Sequence, residues 1–323
     1  MAVAYTVPGP VRSIRSFDRR AGWTFIHAGS ELALLGADLD PLGSWRLPAG
    51  VVGLADADPI TDTVVFDDGS GIVLQRHGKT RWRREHPAWG PEQGGGTWLS
   101  HGYAWAVVPS DNGGTCELVR MNISTGVVTG TAPMGHVPSG IELVGGTDGW
   151  IGIGIGDDRA ARAWFLRGDS PTIDLREAPW RNRILTDVHV SGKYVLTAPQ
   201  GGTGPLEVFS WPDFEPVWTV AAPSLPDSAW LESAVFVGDD LVAAFDPGDG
   251  EVGECVRIPP NRDMAAWAAN RGQLQAVPAS GSSTTASASS AAEPKLSGLS
   301  GGQSASLMAK QKLSGLRASG SGP

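Results

Sequence analysis

Apolar and polar residues alternate with a period of two in many short segments of this chain. The clearest case is the segment 150–156, where Ile151, Ile153 and Ile155 alternate with glycines. A period of two places successive side chains on opposite faces of a β-strand. A G-x-G-x-x-G phosphate loop starting at Gly152 would need its third glycine at the position of Asp157. The segment is therefore predicted to be a strand and not a nucleotide-binding loop.

Similar strands that end in a Gly/Asp turn recur along most of the chain. A second strand follows each turn, a third ends before a proline in five of the six units, and one more strand precedes the next unit. One turn residue from each unit marks the repeat, at spacings of 40, 44, 44, 45 and 46 residues: Gly29, Gly69, Gly113, Asp157, Gly202 and Gly248. Repeats of this length with four strands are typical of β-propellers. We therefore predict an all-β fold, a six-bladed β-propeller of four-stranded antiparallel blades spanning residues 1–260.

The segment LVRMNISTGVVTG, residues 118–130, resembles the strand-turn-strand unit of quinoprotein-like repeats. The chain as a whole resembles the broad class of WD40-like and quinoprotein-like propeller repeats, although no unit carries the Gly-His and Trp-Asp pair of true WD40 repeats. Bacterial propellers of this type are often scaffolds in larger assemblies. The resemblance therefore implies a scaffold role and names no partner.

The last repeat unit has three strands and lacks the fourth. The segment Ala2–Val7 precedes a proline, as the proline-terminated outer strands of the other units do. We therefore expect it to supply the outermost strand of the last blade and to close the ring. The alternative is that a seventh blade has been lost and that the N-terminus frays.

Composition limits the functional classes. The chain has 34 acidic and 25 Lys and Arg residues, a net charge of -9, which argues against a general nucleic-acid binder. The two cysteines, Cys116 and Cys255, form no metal-binding or disulfide pattern. The N-terminal segment lacks a signal-peptide pattern, and no segment has the length of a membrane span. We expect a cytoplasmic protein without a cofactor, acting as a monomer or as a subunit of a hetero-assembly.

Carboxylates recur in the Gly/Asp turns, which lie between the second and third strands of a blade when strands are counted outward from the central axis. These turns share one face, here called the top face, with the connections from each blade to the next. The acidic rim should favour a basic protein or peptide partner, although Asp is also an ordinary turn residue beside Gly. A long connection on the same face contains Trp89, which is either a peptide anchor or a lid on its own blade. The predicted binding residues are Asp67, Asp68, Trp89, Asp111, Asp157, Asp158 and Asp249.

The alternative function is a metal-dependent hydrolase or lactonase with its site in the central channel. Lactonase-like propellers hold a metal there, and the analogous ligands in this chain would be Glu142, Asp187 and His189. Asp187 and His189 share one face of a strand, an arrangement that equally suits polar residues facing channel water. No lactonase motif is present. The preferred prediction is therefore a non-enzymatic scaffold that binds a protein or peptide.

The C-terminal region differs in composition from the rest. We expect a short helical or irregular extension at residues 261–278 and a disordered tail rich in Ser, Gly and Ala at residues 279–323. The tail contains GLSGG, which formally matches a nucleophile elbow, but that motif has meaning only on a strained strand-to-helix turn.

Overall fold

A computed structural model describes residues 3–8, 11–16, 23–90, 93–111, 114–135, 140–145, 149–156, 161–189, 191–200, 205–220, 230–237, 240–246 and 252–258. These residues all belong to the first of two units of the chain, Met1–Ala279. The extension predicted at 261–278 and the tail predicted at 279–323 lie outside the described residues. No helix that could span a membrane occurs among the residues that the structure describes.

The described residues form 24 β-strands. The first half of the chain contains β1 (Val3–Pro8), β2 (Val11–Ser16), β3 (Thr24–Ala28), β4 (Glu31–Leu35), β5 (Pro41–Arg46), β6 (Val52–Asp58), β7 (Thr63–Asp67), β8 (Gly71–Arg76), β9 (Lys79–Glu85), β10 (Gly96–Ser100), β11 (Tyr103–Pro109), β12 (Cys116–Asn122) and β13 (Val128–Pro133). The second half contains β14 (Gly140–Gly145), β15 (Trp150–Gly156), β16 (Ala161–Arg167), β17 (Arg176–Glu177), β18 (Arg183–Val188), β19 (Tyr194–Pro199), β20 (Leu206–Ser210), β21 (Pro216–Val220), β22 (Trp230–Val237), β23 (Asp240–Asp246) and β24 (Val252–Ile258).

The strands assemble in antiparallel groups of four that follow chain order. We call β2–β5 the first sheet, β6–β9 the second, β10–β13 the third, β14–β17 the fourth and β18–β21 the fifth; the last sheet has the order β1-β24-β23-β22. The second and third sheets are joined by one parallel pair, Gly96 with Leu54. The predicted all-β architecture of four-stranded antiparallel blades is confirmed at this level. The N-terminal strand β1 pairs antiparallel with β24 along Val3–Pro8.

Apolar side chains fill the spaces between neighbouring sheets. Among the described residues, five buried clusters each combine side chains of two sheets that follow one another in the chain. A sixth cluster joins the last sheet to the first, with Val235 and Val242 against Ile14 and Ile26. Each sheet is therefore covered on both faces, which explains why burial along the second and third strands is nearly continuous.

The Ile/Gly strand β15 shows how two sheets fit together. Ile151, Ile153 and Ile155 are buried in the cluster between the third and fourth sheets. The glycines between them face Leu185 of the fifth sheet: a Cβ on Gly152 would lie 2.6 Å from its Cδ2, and one on Gly154 would lie 2.9 Å from its carbonyl oxygen. Both distances are too short for a side chain, so glycine is required for the approach of the next sheet.

Strand β17 is shorter than the sequence pattern indicates. Residues 172–179, TIDLREAP, end in a proline as the outer strands of other units do, but only Arg176–Glu177 pairs with β16. The preceding residues are held by the third sheet instead. Arg120 of β12 donates from Nη2 to the Pro171 carbonyl at 2.8 Å, and Ile173 and Leu175 pack against the cluster between the third and fourth sheets.

Candidate functional site

The turn between β7 and β8 and the connection between β9 and β10 meet on the top face. At their centre is Asp67, whose side chain is fully buried. Its carboxylate accepts hydrogen bonds from the Trp89 indole N–H at 2.6 Å and the Gly69 backbone N–H at 2.7 Å. His86 Nε2 lies 3.2 Å from the same carboxylate. We call Asp67, Gly69, His86 and Trp89 the Asp67 cluster.

Both ring nitrogens of His86 face hydrogen-bond acceptors. Nδ1 lies 2.7 Å from the Pro87 carbonyl oxygen, and Nε2 faces Asp67. A neutral imidazole has only one N–H donor, so the imidazolium form satisfies this arrangement best. Burial lowers the pKa of His86, but the hydrogen bond to Asp67, the charge of Asp67 and the Pro87 carbonyl together outweigh burial and raise the pKa above its usual value.

The end of the same connection is fixed by glycines. Leu54 donates its backbone N–H to the Gly95 carbonyl at 3.1 Å. A Cβ on Gly95 would lie 2.5 Å from the Val107 carbonyl oxygen and 2.8 Å from the Trp89 ring. A Cβ on Gly53, whose φ is +68°, would lie 1.6 Å from the Gly95 carbonyl oxygen. Close backbone packing therefore holds this connection at its C-terminal end.

Asp68 lies beside the Asp67 cluster and is paired with the outer strand. Arg83 of β9 donates from Nε and Nη2 to the two carboxylate oxygens, at 2.7 Å and 3.0 Å. The hydrogen bonds from Arg83 are the main reason that the pKa of Asp68 lies below its usual value. Much of the Asp68 charge is therefore balanced within the same sheet.

The predicted binding residues thus fall into different environments. Asp67 and Trp89 are brought together, Asp68 adjoins them, and Asp111 is exposed at the end of β11. Asp157, Asp158 and Asp249 lie outside the described residues. Sequence reasoning missed His86. The sequence feature that could have revealed it is the segment HPAWG, which follows the outer strand β9. This segment supplies two side-chain N–H donors, His86 and Trp89, in the same repeat unit as the turn that holds Asp67 and Asp68.

The predicted channel residues Asp187 and His189 are buried where neighbouring sheets pack against each other. Asp187 is buried and accepts the backbone N–H of Phe236, on β22 of the next sheet, at 2.8 Å. Asp56 on β6 accepts the Leu99 N–H of β10 in the same way, at 2.7 Å. Both carboxylates therefore link the innermost strands of consecutive sheets.

The remaining ligands of the alternative metal site are only partly described. His189 is buried, with its ring against Phe236 and its Nδ1 2.8 Å from the Ser191 hydroxyl. The side chain of Glu142 is not among the described parts of the structure. Within the described residues no group of three or more His, Cys, Asp or Glu side chains could hold a metal ion.

Comparison with known proteins gives the fold. No protein-family model matches the chain, and no curated protein matches it. Hydrazine synthase of Kuenenia stuttgartiensis is similar in structure, with a TM-score of 0.55 at 11% identity, over 81% of this chain and 99% of that chain. The Cps50 (Swd1) β-propeller domain of Myceliophteria thermophila gives 0.48 at 10% identity, over 79% and 98% of the two chains. The Pan2 WD40 domain of Neurospora crassa gives 0.47 at 12% identity, over 80% and 86%.

The similarity to hydrazine synthase and the observed sheets agree on one architecture. The chain has a β-propeller repeat fold. Identities of 10–12% carry no information about activity. A function must therefore be argued from the surfaces of this chain.

Proposed function

We propose that this protein is a non-enzymatic scaffold that binds a basic protein or peptide on the top face of a closed, six-bladed propeller. The observation that carries the proposal is the Asp67 cluster. It fixes the connection between β9 and β10 against its own sheet through three contacts to one buried carboxylate. A loop that is already ordered loses little conformational entropy when a partner binds.

Closure of the ring would make this face a rigid platform. Three contacts between the chain ends support closure: the pairing of β1 with β24, the apolar cluster that joins the last and first sheets, and a hydrogen bond from the Ser233 hydroxyl to the Ile14 carbonyl at 3.2 Å. In a closed ring every sheet is buried on both faces, so binding surfaces are left to the turns and the outer edges.

The attraction for a basic partner would come from carboxylates that are not engaged inside the protein. Asp111 is exposed. Asp157 and Asp158 occupy the equivalent turn of the next repeat in the sequence. Charges of one sign on one face steer an oppositely charged partner and set the salt dependence of binding.

The test compares two triple variants of equal charge change. Asp111→Asn, Asp157→Asn and Asp158→Asn neutralise the top face, whereas Asp38→Asn, Asp40→Asn and Asp213→Asn neutralise turns on the opposite face. Partners that co-purify with the full-length protein are identified by cross-linking and then titrated in pure form. We expect the top-face variant to bind about tenfold more weakly and the control to bind unchanged.

Two outcomes would contradict the proposal. Equal binding by both variants would show that the top-face charges are not used. Stoichiometric calcium or zinc in the purified protein, lost in a folded Glu142→Ala variant, would favour the hydrolase alternative instead.

A further inference from the structure

The outermost strand of the second sheet, β9, has an unusual edge. Its seven residues, Lys79–Glu85, are all exposed except Trp82, which is half-buried. Natural proteins protect such edges with prolines, short strands or charges. The other outermost strands each contain a proline or, in β17, span two residues: Pro8, Pro41, Pro133 and Pro216. Strand β9 contains no proline, and its edge is protected by charge and by the register shift at Arg81.

The charges on this strand are mostly positive and unbalanced. Lys79, Arg81 and Arg84 are exposed, and none of them forms an ion pair with any other described residue. Arg83 is different because it is bound to Asp68 and Glu85. The chain as a whole carries a net charge of -9. The edge of β9 is therefore a local basic strip on an acidic protein.

The backbone of β9 pairs regularly with β8 over residues 82–85, and a register shift at Arg81 separates this part from Lys79 and Thr80. The His86 N–H donates to the Ser70 carbonyl at 3.0 Å. Because N–H groups of an antiparallel strand alternate in direction, the N–H groups of Glu85 and Arg83 point away from β8. Trp82 fixes the strand to the third sheet, donating its indole N–H to the Ile123 carbonyl at 2.9 Å.

We propose that β9 is a docking edge for an acidic, extended segment of a partner protein, which adds to the second sheet as a further strand. Strand addition uses the free N–H and C=O groups of an edge for affinity and side-chain pairing for selectivity. The cations of β9 repel a second copy of the same strand, since like charges opposite one another are destabilising, and they attract Glu or Asp. The proposal concerns a surface separate from the top-face turns.

The probe is a fluorescently labelled synthetic peptide in which Glu alternates with Val, titrated against the full-length protein by anisotropy. We expect saturable binding that weakens at least about tenfold in the double variant Arg81→Glu with Arg84→Glu. The control double variant, Arg46→Glu with Lys193→Glu, makes the same charge change at exposed positions outside the second sheet and should bind as the wild type does. Circular dichroism and thermal unfolding verify that each variant is folded.

The variant Glu85→Pro separates strand addition from simple charge attraction. Proline removes the outward N–H of residue 85 without breaking the pairing with β8, and the loss of a carboxylate makes the strip more positive. Strand addition predicts weaker peptide binding, whereas charge attraction alone predicts tighter binding, which would overturn the proposal. A peptide N-methylated at alternate residues should bind more weakly for the same reason. Absence of saturable binding, or a single-stranded RNA that binds more tightly than the peptide through Arg81 and Arg84, would also overturn it.

Discussion

The substitution Asp67→Asn tests whether the buried carboxylate holds the top-face connection in place. In the native protein one oxygen accepts from Trp89, and the other accepts from Gly69 and faces His86. Asparagine has only one oxygen, so in either orientation its NH₂ group faces at least one N–H donor. The substitution also removes the negative charge that raises the pKa of His86.

The expected effect follows from these lost contacts. A hydrogen bond to a charged group contributes about 1.5–3 kcal/mol, and a buried donor left without a partner costs a comparable amount. Because the connection can open to water, part of this cost is relieved, and we expect a loss of about 2–4 kcal/mol in the free energy of local opening. This corresponds to roughly 30- to 700-fold faster hydrogen exchange of protected amides in the connection.

Amide exchange measured by NMR reports this opening directly. The amides to follow are those of His86 and Trp89, which donate to the Ser70 and Gly69 carbonyls. Trp89→Phe removes a single donor and should have a smaller effect, about 1–2 kcal/mol. Exchange in Asp67→Asn within about twofold of the wild-type rate would refute the anchoring role of the carboxylate.

Three further predictions concern other contacts. Because the pKa of His86 is raised in the folded protein, its contribution to stability is complete below the unfolded pKa of about 6.5 and is lost as pH rises through the folded pKa. The protection factors of amides in the connection, which are corrected for base-catalysed intrinsic exchange, should therefore fall over this pH range, and His86→Gln should remove this fall. Asp187→Ala leaves the buried Phe236 N–H without its acceptor and should lower the free energy of unfolding in urea by about 2–4 kcal/mol, whereas Asp111→Ala should change it by less than about 0.5 kcal/mol. Gly53→Ala forces a Cβ against the Gly95 carbonyl oxygen and should lower the thermal midpoint strongly. Gly50 is the control, because its φ is also positive but no atom lies within 4 Å of a Cβ built on it. Gly50→Ala should therefore lower the thermal midpoint far less, at a cost of about 1–2 kcal/mol in the free energy of unfolding.

The strand pattern could be predicted because it depends on local sequence. The Ile/Gly alternation of β15 indicated a strand, and its glycines leave room for Leu185 of the next sheet. The length of β17 could not be predicted from the same reasoning. Its preceding residues are bound by Arg120, which lies about fifty positions earlier in the chain, and no local pattern reports such a contact.

The site was harder to predict because both faces of every sheet are covered. In a sheet with one solvent-exposed face, the alternation of polar and apolar residues shows which side chains point to solvent. In this chain both faces are buried, so the alternation does not show this. Asp187 lies in β18 and His189 follows directly after the strand, and both side chains lie against the next sheet, where Phe236 contacts both. The direction of Asp67 depends on where the β9–β10 connection folds, which is a tertiary property.

The aspartates of this chain show that position decides what a carboxylate does. Asp56 and Asp187 are buried and link inner strands by accepting a backbone N–H of the next sheet. Asp67 is buried and fixes a loop, and Asp68 is neutralised by Arg83. Of the described aspartates in the predicted rim, only Asp111 is exposed without such a role. Charge counted along the sequence therefore overstates the charge offered to a partner, and the salt dependence of binding should report fewer ionic contacts than the number of acidic turn residues suggests.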